Sequence, residues 1–160
     1  MLLEFIEYAV HQAAHTRPLV WPLAWCTTSH ADHHDLHRIE RGHNYTSTAF
    51  ALAVLQQAGA LALFGAAVCA SLRWGYSEWC TYAAWSVLVY NSAHFVSHTD
   101  WAPTMRAYHR AHHRNRRTNI GISSPLVDWV CGTMHASFVV SQPLLLLLPA
   151  PLSFWAVELK

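Results

Sequence analysis

Charge is scarce in this chain. Only 12% of its 160 residues are Asp, Glu, Lys or Arg, where soluble proteins average about 25%. The net charge of +1 lacks the basic excess that nucleic-acid binding normally shows, so no nucleic-acid partner is expected. Cysteine is sparse too: Cys26, Cys69, Cys80 and Cys131 are widely scattered, with no C-x2-C pair. They form neither a zinc-ligand pattern nor a disulfide framework, and they read as reduced, mostly buried thiols. The opening MLLE has no basic n-region, and Glu4, Glu7 and His11 break the apolar stretch behind it, so a cleaved leader is not expected. The two Glu-x-x-His motifs that build carboxylate-bridged di-iron bundles are also missing: Glu40-x-x-His43 is the one such spacing.

What remains is apolar and rich in histidine. Hydrophobic residues make up 53%, and thirteen His and eight Trp stand out. Residues 1–15 have the spacing of a helix. At about 22 Å it is too short to cross a hydrocarbon core of about 30 Å, so it is expected to dip into or lie against a membrane. Arg17-Pro18 ends it, and the Trp-rich stretch from Pro18 to Trp25 suits an interface. Thr28 to Asn44 is polar and cannot lie in lipid.

Two apolar helices follow, at about 46–72 and 79–97, joined by the polar turn Arg73–Glu78. They predict a transmembrane hairpin. A hairpin returns the chain to its starting side. Arg17, Arg38, Arg41, Arg106, Arg110, Arg114, Arg116 and Arg117 then share one side, with Arg73 alone at the far turn. The positive-inside rule makes that side cytoplasmic. Val139 to Leu152 is apolar but carries Pro143, Pro149 and Pro151, and we expect it to form a helix at the interface or packed over the histidines.

The histidines fall into a doubled pattern. His11 and His15 are four apart, followed by His30, His33 and His34; the same spacings return as His94 and His98, then His109, His112 and His113. Positions i, i+3 and i+4 share a helix face, so each group aims its imidazoles one way. Ten imidazoles exceed what one first-row ion can use, and suit two nearby ions at roughly five nitrogens each or fewer. Zinc would accept the same nitrogens as iron. His37, His43 and His135 lie outside the pattern and are expected to be non-ligands. Asp32, Asp35, Asp100 and Asp128 read as solvated or as groups that orient ligand imidazoles. The alternatives are a His-rich loop binding zinc structurally, and interfacial histidines in a purely structural membrane protein.

These residues resemble the fatty acid hydroxylase superfamily of integral-membrane di-iron enzymes, which includes sterol, fatty acid and carotenoid hydroxylases and desaturases. The matching pieces are HQAAH at His11–His15, HADHH at His30–His34, HFVSH at His94–His98 and HRAHH at His109–His113. Asn119 to Thr133, NIGISSPLVDWVCGT, is similar to the N-x-G-[IV]-x-x-P-x-x-D-x-x-F-G-T segment of fatty acid and sterol members. Cys131 stands where that segment has Phe. Members commonly have four spanning helices, and here the first pair is reduced to the short helix 1–15. The compact length is closer to bacterial carotenoid hydroxylases.

The resemblance implies that the ten box histidines ligate two irons, that O2 is a co-substrate, and that a lipid C–H bond is attacked. It also implies an external electron donor of the cytochrome b5 or ferredoxin type with its reductase. The expected protein is therefore an all-α integral-membrane domain: one transmembrane hairpin, and interfacial helices forming a cytoplasmic-side dimetal cap. Its expected activity is an O2-dependent lipid hydroxylase. A desaturase on the same centre and a non-catalytic membrane metal-binding protein are the alternatives.

Overall fold

The computed structural model describes residues 2–16, 30–35, 47–75, 78–148 and 152–160. The interfacial segment 18–25 and much of the polar stretch 28–44, with Cys26, His37 and His43, lie outside the described residues. Helix α1 runs Leu2–Thr16, and residues 30–35 form α2. Helices α3 (Ser47–Trp74) and α4 (Glu78–Ser97) follow, then α5 (Pro103–Arg114) and α6 (Leu126–Cys131).

Helix α3 is rich in Ala and Leu and apolar on all sides, with Leu55, Leu61, Leu63 and Leu72 exposed. An all-round apolar helix that is not buried in protein has the surface of a membrane span. Among the described residues, Ala53–Trp74 is the one stretch long and apolar enough to cross. Helix α4 is shorter and interrupts its apolar surface with Asn91 and His94. The two helices lie antiparallel: Ser71 Oγ is 2.7 Å from Thr81 Oγ1, Phe64 packs on Trp85, and Ser92 Oγ donates to Gln57 Oε1 at 3.3 Å. Gly75, at φ +65°, takes the left-handed position that ends α3 and starts the turn.

Pro103 opens α5 at a position where its missing N–H costs nothing. Helical spacing then puts Met105, Tyr108, His109 and His112 on one buried face. Tyr108 sits between the rings of Phe138 and Phe154, at 5.0 and 5.3 Å. Those phenylalanines belong to the C-terminal segment, so the main core joins α5 to Ile122, Leu126, Leu146 and Val157. A smaller core of Tyr8, Ile120 and Val127 holds α1.

Three expectations are corrected here. The fold is mostly helical but not all-α: β1 (Phe138–Val140) pairs antiparallel with β2 (Val157–Leu159), Val139 facing Glu158. Between them Pro143–Leu147 and Leu152–Ala156 are 3-10 helices, and the described part of Val139–Leu152 is a strand and a 3-10 helix rather than the expected α-helix. Pro143 and its neighbours break helical hydrogen bonding, and the segment buries Leu146 and Phe154 as separate anchors. The thiols also differ from expectation. Cys69, Cys80 and Cys131 are exposed, because they lie on outward faces of α3, α4 and α6.

Candidate metal centre

All ten box histidines converge, and they divide into two groups. His11, His15, His30, His34 and His112 form the first; His33, His94, His98, His109 and His113 form the second. Within each group the ligating atoms lie within 4.8 Å of one another. His135 lies outside both, and its Nδ1 is 2.7 Å from Ser137 Oγ.

The division follows from helix geometry. At about 100° per residue, positions i and i+4 point nearly together, while i+3 points to the other flank. In α2, His30 and His34 therefore serve the first group and His33 the second. In α5 the roles reverse: His109 and His113 serve the second group, His112 the first. Each H-x3-H pair completes one group, His11 and His15 from α1, His94 from the last turn of α4 and His98 from just beyond its end.

The nitrogens meet head to head. His30 Nε2 is 3.0 Å from His11 Nε2, 3.0 Å from His15 Nε2 and 3.1 Å from His34 Nε2. One imidazole nitrogen carries at most one proton and cannot donate to three partners. In the second group Nε2 separations run from 2.9 Å (His113 to His109) to 3.3 Å (His98 to His94). Two tautomers are fixed by carbonyl oxygens, which only accept. His11 Nδ1 donates to Ile120 O at 2.6 Å and His112 Nδ1 to Thr118 O at 2.9 Å. In the neutral ring Nε2 is then a bare lone pair, and His112 Nε2 faces His15 Nε2 at 3.1 Å. The nitrogens of such a cluster have too few protons to bond every contact, and a cation between them would satisfy the rest.

The residues fit such a cation. Nitrogens about 2.1 Å from one ion stand about 3.0 Å apart at right angles, and about 3.4 Å apart at the tetrahedral angle. Most of the observed separations match the right angle. Burial also holds the imidazoles neutral, the form that ligates. Burial, with neighbouring His30 and His112 and with Arg116, pushes His15 down to about 3. His30 is lowered to about 4 by burial and Arg116. His112 is lowered to about 4 by burial, against the opposing pull of its bond to Thr118. His11, His34 and His109 are held well below the ordinary range, by burial first and neighbouring histidines second.

The loop 118–123 carries the two orienting carbonyls, and buried groups hold it in turn. Asp128, fully buried, accepts from Ile120 N (2.9 Å), Gly121 N (2.7 Å), Thr133 Oγ1 (2.6 Å) and Tyr108 OH (3.0 Å). Burial raises its carboxyl while these donors oppose the rise. A side chain on Gly121 would strike Ser124 O at 2.6 Å, so only glycine lets the loop close on Asp128. Asn119 takes a positive φ of 51°, donates to Tyr108 O and accepts from His135 N. The sequence places Asp128 with Asp32, Asp35 and Asp100 as solvated or imidazole-orienting; here it is buried and holds the loop rather than an imidazole. Asp35 pairs with Arg116 at 3.0 Å on the surface, and Asp100 with Arg106.

Sequence reading missed Glu7. Its carboxylate accepts from Ile122 N at 3.0 Å, Ser123 N at 3.2 Å and Ser123 Oγ. Burial pushes it up to about 7. The available signal was its place one helical turn before His11, on the same face. An apolar cavity of about 730 Å³ lies beside it, walled by Leu3, Ile6 and Val10 of α1, Trp85 and Val89 of α4, and Leu146. His11 and His30 of the first group line it; no member of the second group does.

No curated protein and no solved structure matches the chain. One family does: the family model described as fatty acid hydroxylase matches residues 1–133. The match spans both histidine groups and ends at Thr133, the residue whose hydroxyl closes on Asp128. The chain belongs to the fatty acid hydroxylase family.

Proposed function

We propose that this protein is an O2-dependent di-iron hydroxylase of a membrane lipid, with the ten box histidines as the metal ligands. The observation that carries the reading is the convergence of two five-histidine groups beside an apolar cavity that reaches one of them. His11, His15, His30, His34 and His112 would hold one iron, and His33, His94, His98, His109 and His113 the other. Nitrogen separations near 3.0 Å would let the five imidazoles of each group hold one first-row ion. Bound iron supplies the O2 chemistry that attacks an unactivated C–H bond.

The chain's own residues do the rest. Leu3, Ile6, Val10, Val89 and Leu146 offer an apolar sleeve of a size that suits a lipid-like ligand. Excluding water there protects a strong oxidant from side reactions. His11 and His30 bring the sleeve to the first histidine group. Exposed Leu2, Ile6 and Val10 on α1 and Leu144 and Leu147 beyond β1 continue the apolar surface outward. That continuity supports substrate entry from the bilayer. In this reading α3 and α4 span the membrane together, with the histidines on the cytoplasmic side, and electrons come from an external cytochrome b5- or ferredoxin-type donor with its reductase.

The test is reconstitution in lipid nanodiscs with iron, a reductase system and labelled dioxygen, screened against fatty acyl, sterol and carotenoid lipids. Label in a hydroxylated product is the expected result. An alkene product without label would identify a desaturase. Iron-loaded protein that consumes no O2 with any lipid class would sink the enzyme reading.

A further inference from the structure

The first histidine group has a weak point of support that the second lacks. Two of its ligands, His11 and His15, ride on α1. That helix is attached through the small Tyr8–Ile120–Val127 core, the Tyr8 OH bond to Thr133 Oγ1, and Glu7. The second group draws His94 from the last turn of α4, His98 from just beyond its end, and His109 and His113 from α5, both helices anchored in the main core through Ala93, Met105 and Tyr108.

We propose that Glu7 is a positioning residue for the first histidine group: by gripping Ile122 N–H, Ser123 N–H and the Ser123 hydroxyl, it locks α1 to the loop whose Ile120 carbonyl orients His11. The loop is held at two points. Asp128 takes the N–H groups of Ile120 and Gly121, and Glu7 takes those of the next two residues. Between the two carboxylates the Ile120 carbonyl is fixed toward His11 Nδ1. Glu7 and His11 are one turn apart on α1, so the grip and the ligand sit on the same rigid element. Without Glu7, helix and loop can slide and the carbonyl leaves the imidazole. The inference rests on the metal-centre reading above.

The test is zinc titration, a redox-silent probe, on the full chain in detergent. Each group is read separately, using His94→Ala/His98→Ala/His109→Ala to leave the first and His15→Ala/His30→Ala/His34→Ala to leave the second. Glu7→Ala should weaken zinc binding by about tenfold to a hundredfold at the first group, the usual cost of losing a group that orients a ligand. It should leave the second group within about twofold. Glu7→Gln should restore binding, because its carbonyl can accept both N–H groups and its amide can donate to Ser123. If Glu7→Ala does not fold, Ser123→Ala decides, with a loss of about threefold to tenfold expected at the first group alone. Equal weakening of both groups, or no change at the first, overturns the proposal. Absence of stoichiometric zinc in the unmodified chain would overturn the metal-centre reading itself.

Discussion

The two histidine groups are alike in composition and unlike in support. Each takes one H-x3-H pair, one i, i+4 pair from an H-x2-H-H box and the middle histidine of the other such box. The second group is built on α4 and α5 with only His33 from α2, and packs against the main core. The first stands on α1, α2 and one residue of α5, and it borders the cavity. Two of its imidazoles lean on carbonyls of the loop 118–123. The same set of imidazoles is thus placed once on helices packed into the main core and once on a helix held by a smaller core beside the apolar space. Two sites of the same residue composition can thus differ in what holds them and in what they face.

The largest expected effect comes from removing a shared-box ligand. His112→Ala should cost about a hundredfold or more in activity and lower metal content to about one per chain, since even groups that only orient a ligand cost up to a hundredfold. Elemental analysis beside the activity assay checks it, and His109→Ala should act likewise on the second group. Asp128→Asn comes next. It places an amide N–H against donors that need an acceptor, so stability should fall by about 2–4 kcal/mol, read as a lower melting temperature in detergent. Because that loop serves the first group, metal should be lost there first.

A bulky Val10→Trp sharpens the comparison from the cavity side. Lipid turnover should drop while metal content stays the same, because the second group does not touch the cavity and the first keeps its ligands. Parallel loss of metal would show that the cavity wall and the ligand frame are not separable.

Acid should weaken the metal-free fold. His15, His30 and His112 have folded values of about 3, 4 and 4, below the ordinary 6.5. The unfolded chain therefore binds more protons in that window. Their contribution is complete above about pH 6.5 and lost as pH falls toward 4 and then 3. Glu7 acts in the opposite sense: raised to about 7 from 4.5, it favours the fold most below pH 4.5 and loses that contribution as pH rises through 7. Melting of metal-free protein should therefore drop on the acid side, and Glu7→Gln should flatten only the part between 4.5 and 7. The smallest effect belongs to His135→Ala, which should leave metal content unchanged, since His135 belongs to neither group.

Much of this centre was legible in the sequence because histidine spacing reports helix faces directly. The ten residues brought together are the ten that the doubled pattern singles out. Helices α3 and α4 lie on the two apolar runs either side of the Arg73–Glu78 stretch. The partition was legible only in part. Helix geometry pairs His30 with His34 and His109 with His113, but which H-x3-H pair each of them meets depends on which helix lies opposite, a tertiary fact. The C-terminal ribbon was missed because three-residue strands are too short to show a period, and Pro143 obscured the remainder. Glu7 was read as an interruption in an apolar helix, and only the fold reveals the Ser123 donors more than a hundred residues away.

The most direct measurement is metal content with Mössbauer spectroscopy on protein expressed in isotopically enriched iron, for the unmodified chain and for His112→Ala. The account predicts about two irons per chain with spin-coupled behaviour, falling to about one uncoupled iron in the variant. No stoichiometric metal in well-folded protein, or a count that His112→Ala leaves unchanged, would contradict it.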